Sequence, residues 1–387
     1  MKKTEKIVKK IGRGLTFILL LFLTTNCSEA TNAQIPSAPP DKAKKIKIAL
    51  LLDTSNSMDG LIDQAKSQLW KIVNELSVAK CDNLKPELQI ALYEYGNDGL
   101  SSSEGYIRQV SGFTSDLDLI SEKLFSLRTN GGSEFCGYVI NTSLNQLDWN
   151  IDGDDLQIIF IAGNEPFTQG RISYGESCSK AKSKNVVVNT IFCGNFDEGV
   201  RSNWKDGADI TNGSYMSIEQ NTKTVYIASP YDKRITELNT KLNKTYIAYG
   251  SQGKAKKCNQ EMQDNNASTY GTVNEVQRAV SKSSHVYNNK TWDIIDASNE
   301  EDFDIDEIKE EDLPSEMKAM TSAEKQKYIS DNKKEREEIQ KEILELNKKR
   351  TIYVANLEKD TKTENSLDDA MIKAIKKQAK SKNFVFE

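Results

Sequence analysis

From Ile46 to Leu52 the chain reads as a buried strand, too uniformly apolar to be half exposed, and it runs into the polar stretch Asp53-Thr54-Ser55-Asn56-Ser57. Residues 59–77 then set Leu61, Ile62, Ala65, Leu69, Ile72, Val73 and Leu76 at helical spacing, which predicts an amphipathic helix. The alternation continues with a strand from Leu88 to Tyr95, a more polar edge strand from Tyr106 to Phe113, and a helix from Asp116 to Leu127 capped by Ser115. The loop Asn130-Gly131-Gly132-Ser133-Glu134 leads into a helix ending near Leu147, followed by strand Leu156 to Ala162, helix Ser177 to Lys184 and strand Val186 to Cys193. Helix Glu198 to Asp206, strand Ser214 to Ile218 and helix Tyr231 to Asn243 close the series. Repeated strand–helix units with short apolar strands predict an α/β fold: a doubly wound, mainly parallel sheet with helices on both faces, plus a C-terminal α-helical extension. Ligands bind such sheets at the carboxyl ends of the strands, where the strand order reverses. The Asp53 loop, the Gly131 loop and the loop after Ala162 all lie at that end.

The pattern changes beyond Gly250. Residues 258–288 read as helical and end at Trp292-Asp293-Ile294-Ile295, an apolar patch expected to dock on the main domain. From Glu300 to Asp312 nine of thirteen residues are acidic, which predicts a solvated connector. Residues 321–354 form one long charged helix with a narrow, coiled-coil-like stripe of Ile329, Ile339, Ile343, Leu346 and Tyr353. That stripe is expected to pack inside the molecule, with residues 366–381 as the candidate partner helix; the alternative is that it buries against another protein. The expected organisation is 1–26, 27–45 as a tether, 46–246 as the main domain, 247–312 as a partly helical segment with the acidic connector, and 313–387 as a helical C-terminal region.

The first 26 residues carry six positive side chains against Glu5, followed by the apolar run Leu15 to Leu23 and polar Thr24-Thr25-Asn26. The run is about half of the ~20 apolar residues that span a bilayer, so the segment reads as a secretory signal. Two cleavage positions compete: before Cys27, which would then be lipid-modified, or after Ala33. Either predicts an exported protein of the periplasm or outer envelope, with membrane contact only through a lipid anchor. The net charge of −5 includes those six positives and Glu5, so the remainder carries −10, which argues against a nucleic-acid partner. The 387 residues contain a single histidine, His285, which removes most hydrolase templates and His-based zinc sites.

Asp53-x-Ser55-x-Ser57 at the end of a buried strand is the most informative pattern, because alternate residues of an extended loop bring a carboxylate and two hydroxyls to one point. Oxygen-only ligands of low charge suit a hard cation such as Mg²⁺ or Mn²⁺. The order strand, Asp-x-Ser-x-Ser, helix, then Gly131-Gly132-Ser133 ahead of another helix, resembles the von Willebrand factor type A (VWA) domain over residues 45–246. The resemblance implies a metal-ion-dependent adhesion site in which Ser55 and Ser57 bind the cation directly, Asp53 through water, and Ser133 stands for the family's Thr. After the fourth strand the family has Thr-Asp-Gly, whereas this chain reads Ala162-Gly163-Asn164-Glu165-Pro166. The missing Asp weakens the expected Mg²⁺ or Mn²⁺ site without abolishing it, since the hydroxyl ligands remain, unless Glu165 or Glu134 supplies the carboxylate, with Asn164 as a further neighbour. The resemblance also implies a disulfide between Cys178 and Cys193, with Cys136 as the rival partner and Cys81 and Cys258 unpaired.

Three functions follow. The first is an exported protein-binding module whose cation is completed by a carboxylate from an unknown partner protein. The second is a metal-free architectural protein of the envelope. The third, an aspartyl phosphatase, fails because Ser55 stands where a second acid is required, so no enzymatic activity is expected.

Overall fold

The computed structural model describes residues 43–150, 153–219, 221, 227–358 and 366–386. The expected signal segment, Cys27, the Ala33 cleavage position and most of the tether lie outside them.

Eight strands are present among the described residues: β1 (Lys45–Asp53), β2 (Ala79–Cys81), β3 (Glu87–Tyr95), β4 (Ile107–Thr114), β5 (Leu156–Gly163), β6 (Val187–Cys193), β7 (Tyr215–Ile218) and β8 (Phe384–Phe386). Six form one sheet in the order β4-β3-β1-β5-β6-β7, parallel throughout except for the antiparallel edge pair β3–β4. The remaining two, β2 and β8, pair antiparallel in a small second sheet. The helices are α1 (Asp59–Ser77), α2 (Leu117–Ser126), α3 (Cys136–Gln146), α4 (Tyr174–Ser183), α5 (Phe196–Arg201), α6 (Trp204–Ile210), α7 (Asp232–Lys244), α8 (Gly253–Thr269), α9 (Thr272–Lys282), α10 (Ile294–Ala297), α11 (Ser322–Glu358) and α12 (Leu367–Ala379).

Period-2 alternation splits the core into two layers. Ile46, Ile48, Leu50 and Leu52 of β1 join α1, α2, α7, α9 and α12 on one face, while Ala49 and Leu51 join α3, α4 and α6 on the other. This is the doubly wound architecture expected from the sequence and implied by the VWA resemblance.

Several expectations need correcting. Asp116, not Ser115, caps α2, its carboxylate accepting the Leu119 N–H at 2.9 Å. The helix expected near 198–206 is two helices, and the one expected over 258–288 breaks at Gly271, whose φ of +94° ends α8. The acidic connector is not simply solvated: Ile305, Leu313 and Met317 are buried with Ile294, Ile295 and Ile329 in a third apolar cluster. Trp292 to Ile295 are buried as expected. The long helix α11 packs on α7, α9 and α10 rather than on α12. Instead α12 lies along α1, where the side-chain carbonyls of Gln64 and Gln68 accept the otherwise unpaired N–H groups of Leu367 (3.1 Å) and Asp368 (2.8 Å).

The disulfide between Cys178 and Cys193 is absent: both are free, buried thiols, as is Cys136. Cys178 on α4 belongs to one core layer and Cys193 on β6 to the other, so the sheet itself separates the sulfurs. Cys81 and Cys258 are also unpaired. No helix among the described residues is long and apolar enough to cross a membrane.

Candidate functional site at the carboxyl edge of the sheet

β1 lies where the strand order reverses, between β3 and β5, and Asp53 is its last residue. The register sets Asp53 level with Tyr95 of β3, and Leu52 level with Ala162 of β5, so three strand ends meet around one carboxylate. Two glycines make room for it. A β-carbon on Gly96, which follows β3 at φ +76°, would come within 2.9 Å of Asp53 Oδ1 and of Glu134 Cγ. One on Gly163 would lie 2.5 Å from the Tyr95 hydroxyl and 3.0 Å from Asp53 Oδ2.

Asp53 is fully buried, and its two oxygens are treated unequally. Oδ1 accepts the Ser55 N–H at 2.7 Å, which turns the loop, whereas Oδ2 has no hydrogen-bond partner. Ser55 Oγ lies 3.3 Å from Ser57 Oγ, and Asn164 Nδ2 donates to Ser57 Oγ at 3.2 Å. Ser55 is buried while Ser57 faces solvent, so the hydroxyl pair runs from the buried carboxylate outward. Thr54 anchors the same loop through its N–H to the Tyr95 carbonyl (2.9 Å), and its own carbonyl accepts from Asn130 (2.9 Å).

The Gly131 loop delivers a second acid. Gly132 packs directly on the Gly96 carbonyl, leaving no space for a side chain, and this approach brings in Glu134, only 6% exposed. Glu134 Cγ lies against Gly96 beside Asp53, and Ser133, half-buried, precedes it on the same loop. Glu165 stands at the rim, where Gln169 ties the two loops: its Nε2 donates to Glu165 (3.2 Å) and its Oε1 accepts the Glu134 N–H (3.3 Å).

Burial pushes the Asp53 carboxyl up to about 7, with Glu134 and Glu165 adding to the rise and hydrogen bonds from Ser55 opposing it. Glu134 is likewise pushed up to about 7 by burial, then by Glu165 and Asp98, again opposed by Ser55. Two buried acids therefore share a space that disfavours charge on both.

Among the described residues no group of three or more His, Cys, Asp or Glu side chains is placed to hold a metal ion. The donors here are instead two carboxylates with the Ser55 and Ser57 hydroxyls. The orphaned Asp53 Oδ2 and the two elevated carboxyls fit a cation, which would occupy the free lone pairs and offset the repulsion. The sequence pattern identified Asp53, Ser55, Ser57, Asn164 and the two glutamates. It did not identify Gly96 or Gln169; a glycine directly after a buried strand was the one available signal for Gly96.

No protein-family model matches the chain, and no curated protein sequence matches it. Among solved structures, the chain is similar to proximal thread matrix protein 1 from the mussel byssus at 12% identity, covering 45% of this chain and 42% of that one with a TM-score of 0.33. It is similar to the SpRpn10 VWA domain at 16% identity, covering 46% of this chain and 90% of that one with a TM-score of 0.35. Against the conserved hypothetical protein BatB from Bacteroides thetaiotaomicron the identity is 14%, the coverage 45% and 90%, and the TM-score 0.34.

Proposed function

We propose that the chain is an exported protein-binding module that holds Mg²⁺ or Mn²⁺ through Asp53, Ser55, Ser57 and Glu134, and that a carboxylate of a partner protein completes the coordination. The unpartnered oxygen of Asp53 carries this reading: a buried carboxylate oxygen without a donor costs free energy that a cation would recover. Glu134 takes the role left open by Asn164 after β5, returning a negative charge to the site from a different loop. The exposed Ser57 hydroxyl and the half-buried Asn164 mark the side from which a partner would approach. A bound cation supplies an electrophilic position for an outside carboxylate; the protein residues fix its place and shield it. The basic and apolar opening of the chain supports export, and Cys27 supports a lipid anchor at the envelope.

Calorimetric titration of the full chain with Mn²⁺ and with Mg²⁺ tests the site. The expected result is saturable one-to-one binding that is lost in the Ser55→Ala/Ser57→Ala variant. Absence of binding in the wild type, with and without candidate acidic peptides, would favour the architectural alternative, in which protons rather than a cation neutralise Asp53 and Glu134.

A further inference from the structure

The small β2–β8 sheet lies at the end of the molecule where the described chain begins. Lys44 donates to Asp82 (3.2 Å), beside β2, and its carbonyl accepts the Glu87 N–H at the start of β3 (3.1 Å). β1 runs away from this end toward Asp53, so the carboxyl-edge site faces the opposite direction, some 26 Å off at about 3.3 Å per residue.

Three apolar side chains stand in solvent around this sheet: Val78 at 42% exposure, Leu84 at 39% and Val385 at 51%. Val385 lies opposite Lys80 in the register, Val78 directly precedes β2, and Leu84 closes a bridge with Cys81, so all three border this small sheet. Exposed lysines share this end: Lys377 and Lys380 at the end of α12, which packs on β8, and Lys85 next to Leu84, together with the half-buried Lys382, whose carbonyl accepts from the Cys81 thiol (3.5 Å). Of the neighbouring acids, Glu75 pairs with Lys376 and Glu87 with Lys45, while Asp82 and Asp154 share Lys44, which leaves one acid to set against the exposed lysines. In a chain of net charge −5 this end carries a local excess of positive charge beside exposed apolar groups.

We propose that this face docks on the surface of an anionic lipid bilayer. Apolar side chains accompanied by lysines suit an interface in which the former enter the headgroup boundary and the latter meet lipid phosphates, each lysine adding attraction that salt screens. A lipid chain with a second, basic contact holds a protein more firmly than the chain alone, and the docked orientation turns the Asp53 edge outward toward a partner. The proposal takes from the preceding reading only the presence of a bilayer and is independent of the cation.

The experiment measures partition of the full chain onto vesicles of phosphatidylcholine alone and of phosphatidylcholine with 30% phosphatidylglycerol (about 0.1 M salt, EDTA present). The ratio between the two compositions cancels the contribution of an acyl chain, and the six positive side chains of the first 26 residues are common to every variant, so the comparison between variants reads this face. The wild type is expected to favour the anionic vesicles, and Lys85→Glu/Lys377→Glu/Lys380→Glu to reduce that preference at least about tenfold. The control Lys254→Glu/Lys318→Glu/Lys334→Glu makes the same charge change at exposed lysines elsewhere and is expected to keep it. Leu84→Ser/Val385→Ser, charge-neutral, is expected to weaken binding to anionic vesicles without altering its salt dependence. No anionic preference in the wild type, or equal losses in the two triple variants, would overturn the proposal and leave the face to an acidic protein partner.

Discussion

Asp53 and Glu134 flank the same bare backbone: Oδ1 of one and Cγ of the other each lie 2.9 Å from the point where a side chain on Gly96 would begin. The contact places two carboxylic acids together in a buried space with Ser55 between them, and much of the site's behaviour follows from it.

Stability without a cation should depend on pH in a defined direction. Both carboxyls are raised to about 7 in the folded state, against roughly 4 when unfolded. Below pH ~4 both states are protonated and the contribution is fully present; it is lost as the pH rises through about 7, because the unfolded chain ionises first. In EDTA, chemical denaturation should show stability falling between pH 5 and 7 by at most about 1.4 kcal/mol per pH unit for each group. Since a cation competes with these protons, Mn²⁺ affinity should rise from pH 6 to 8. A flat affinity over that range would contradict the ligand assignment.

Gly132→Ala should separate the loops. The added carbon would fall 2.2 Å from the Gly96 carbonyl oxygen, a backbone atom with nowhere to move. The expected cost is about 1–3 kcal/mol of stability, together with loss of cation binding as Glu134 withdraws. Urea unfolding and calorimetry read the two effects separately.

The sheet and this site were legible in the chain to different degrees. Uniform apolar runs such as Ile46 to Leu52 announced buried parallel strands, and Asp53, Ser55 and Ser57 were visible because three functional side chains share one short loop. Glu134 was visible only as a neighbour of Ser133, since its role depends on Gly132 meeting Gly96, a contact between distant segments. The position of α12 was hidden for the same reason. Its amphipathic stripe suits any apolar partner, and what fixes it on α1 is a set of polar matches, Gln64 and Gln68 to its first amides and Gln378 to Asn189 on β6. The acidic run from Glu300 to Asp312 misled because charge density masked Ile305, which is 3% exposed.

Beside its buried apolar stripe, α11 is anchored by a buried charge. Arg336, 3% exposed, donates to Asp293 (2.6 Å), Asp296 (2.8 Å) and the Thr245 hydroxyl (3.0 Å), and its guanidinium lies 4.0 Å from the Tyr246 ring centre. Arg336→Met leaves Asp293 buried without its counter-charge and should cost about 3–5 kcal/mol. Arg234→Ala, which removes an exposed pair with Glu342 elsewhere on the same helix contact, should change stability by about 0.5 kcal/mol or less.

Reducing agent should leave the unfolding temperature unchanged, because Cys136, Cys178 and Cys193 are buried as thiols in core layers. A drop under dithiothreitol would mean that a disulfide holds the native chain.

Thermal unfolding of the full chain in EDTA and in Mn²⁺, beside the Asp53→Asn variant, tests the cation site most directly. Saturating Mn²⁺ at a hundredfold excess over Kd should stabilise the wild type by about 2.7 kcal/mol. Asp53→Asn, which removes a buried charge and its unpartnered oxygen, should be at least as stable as the wild type in EDTA at pH 8 and should gain nothing from Mn²⁺. An unshifted wild type, or an equal shift in the variant, would show that Asp53 does not serve a cation.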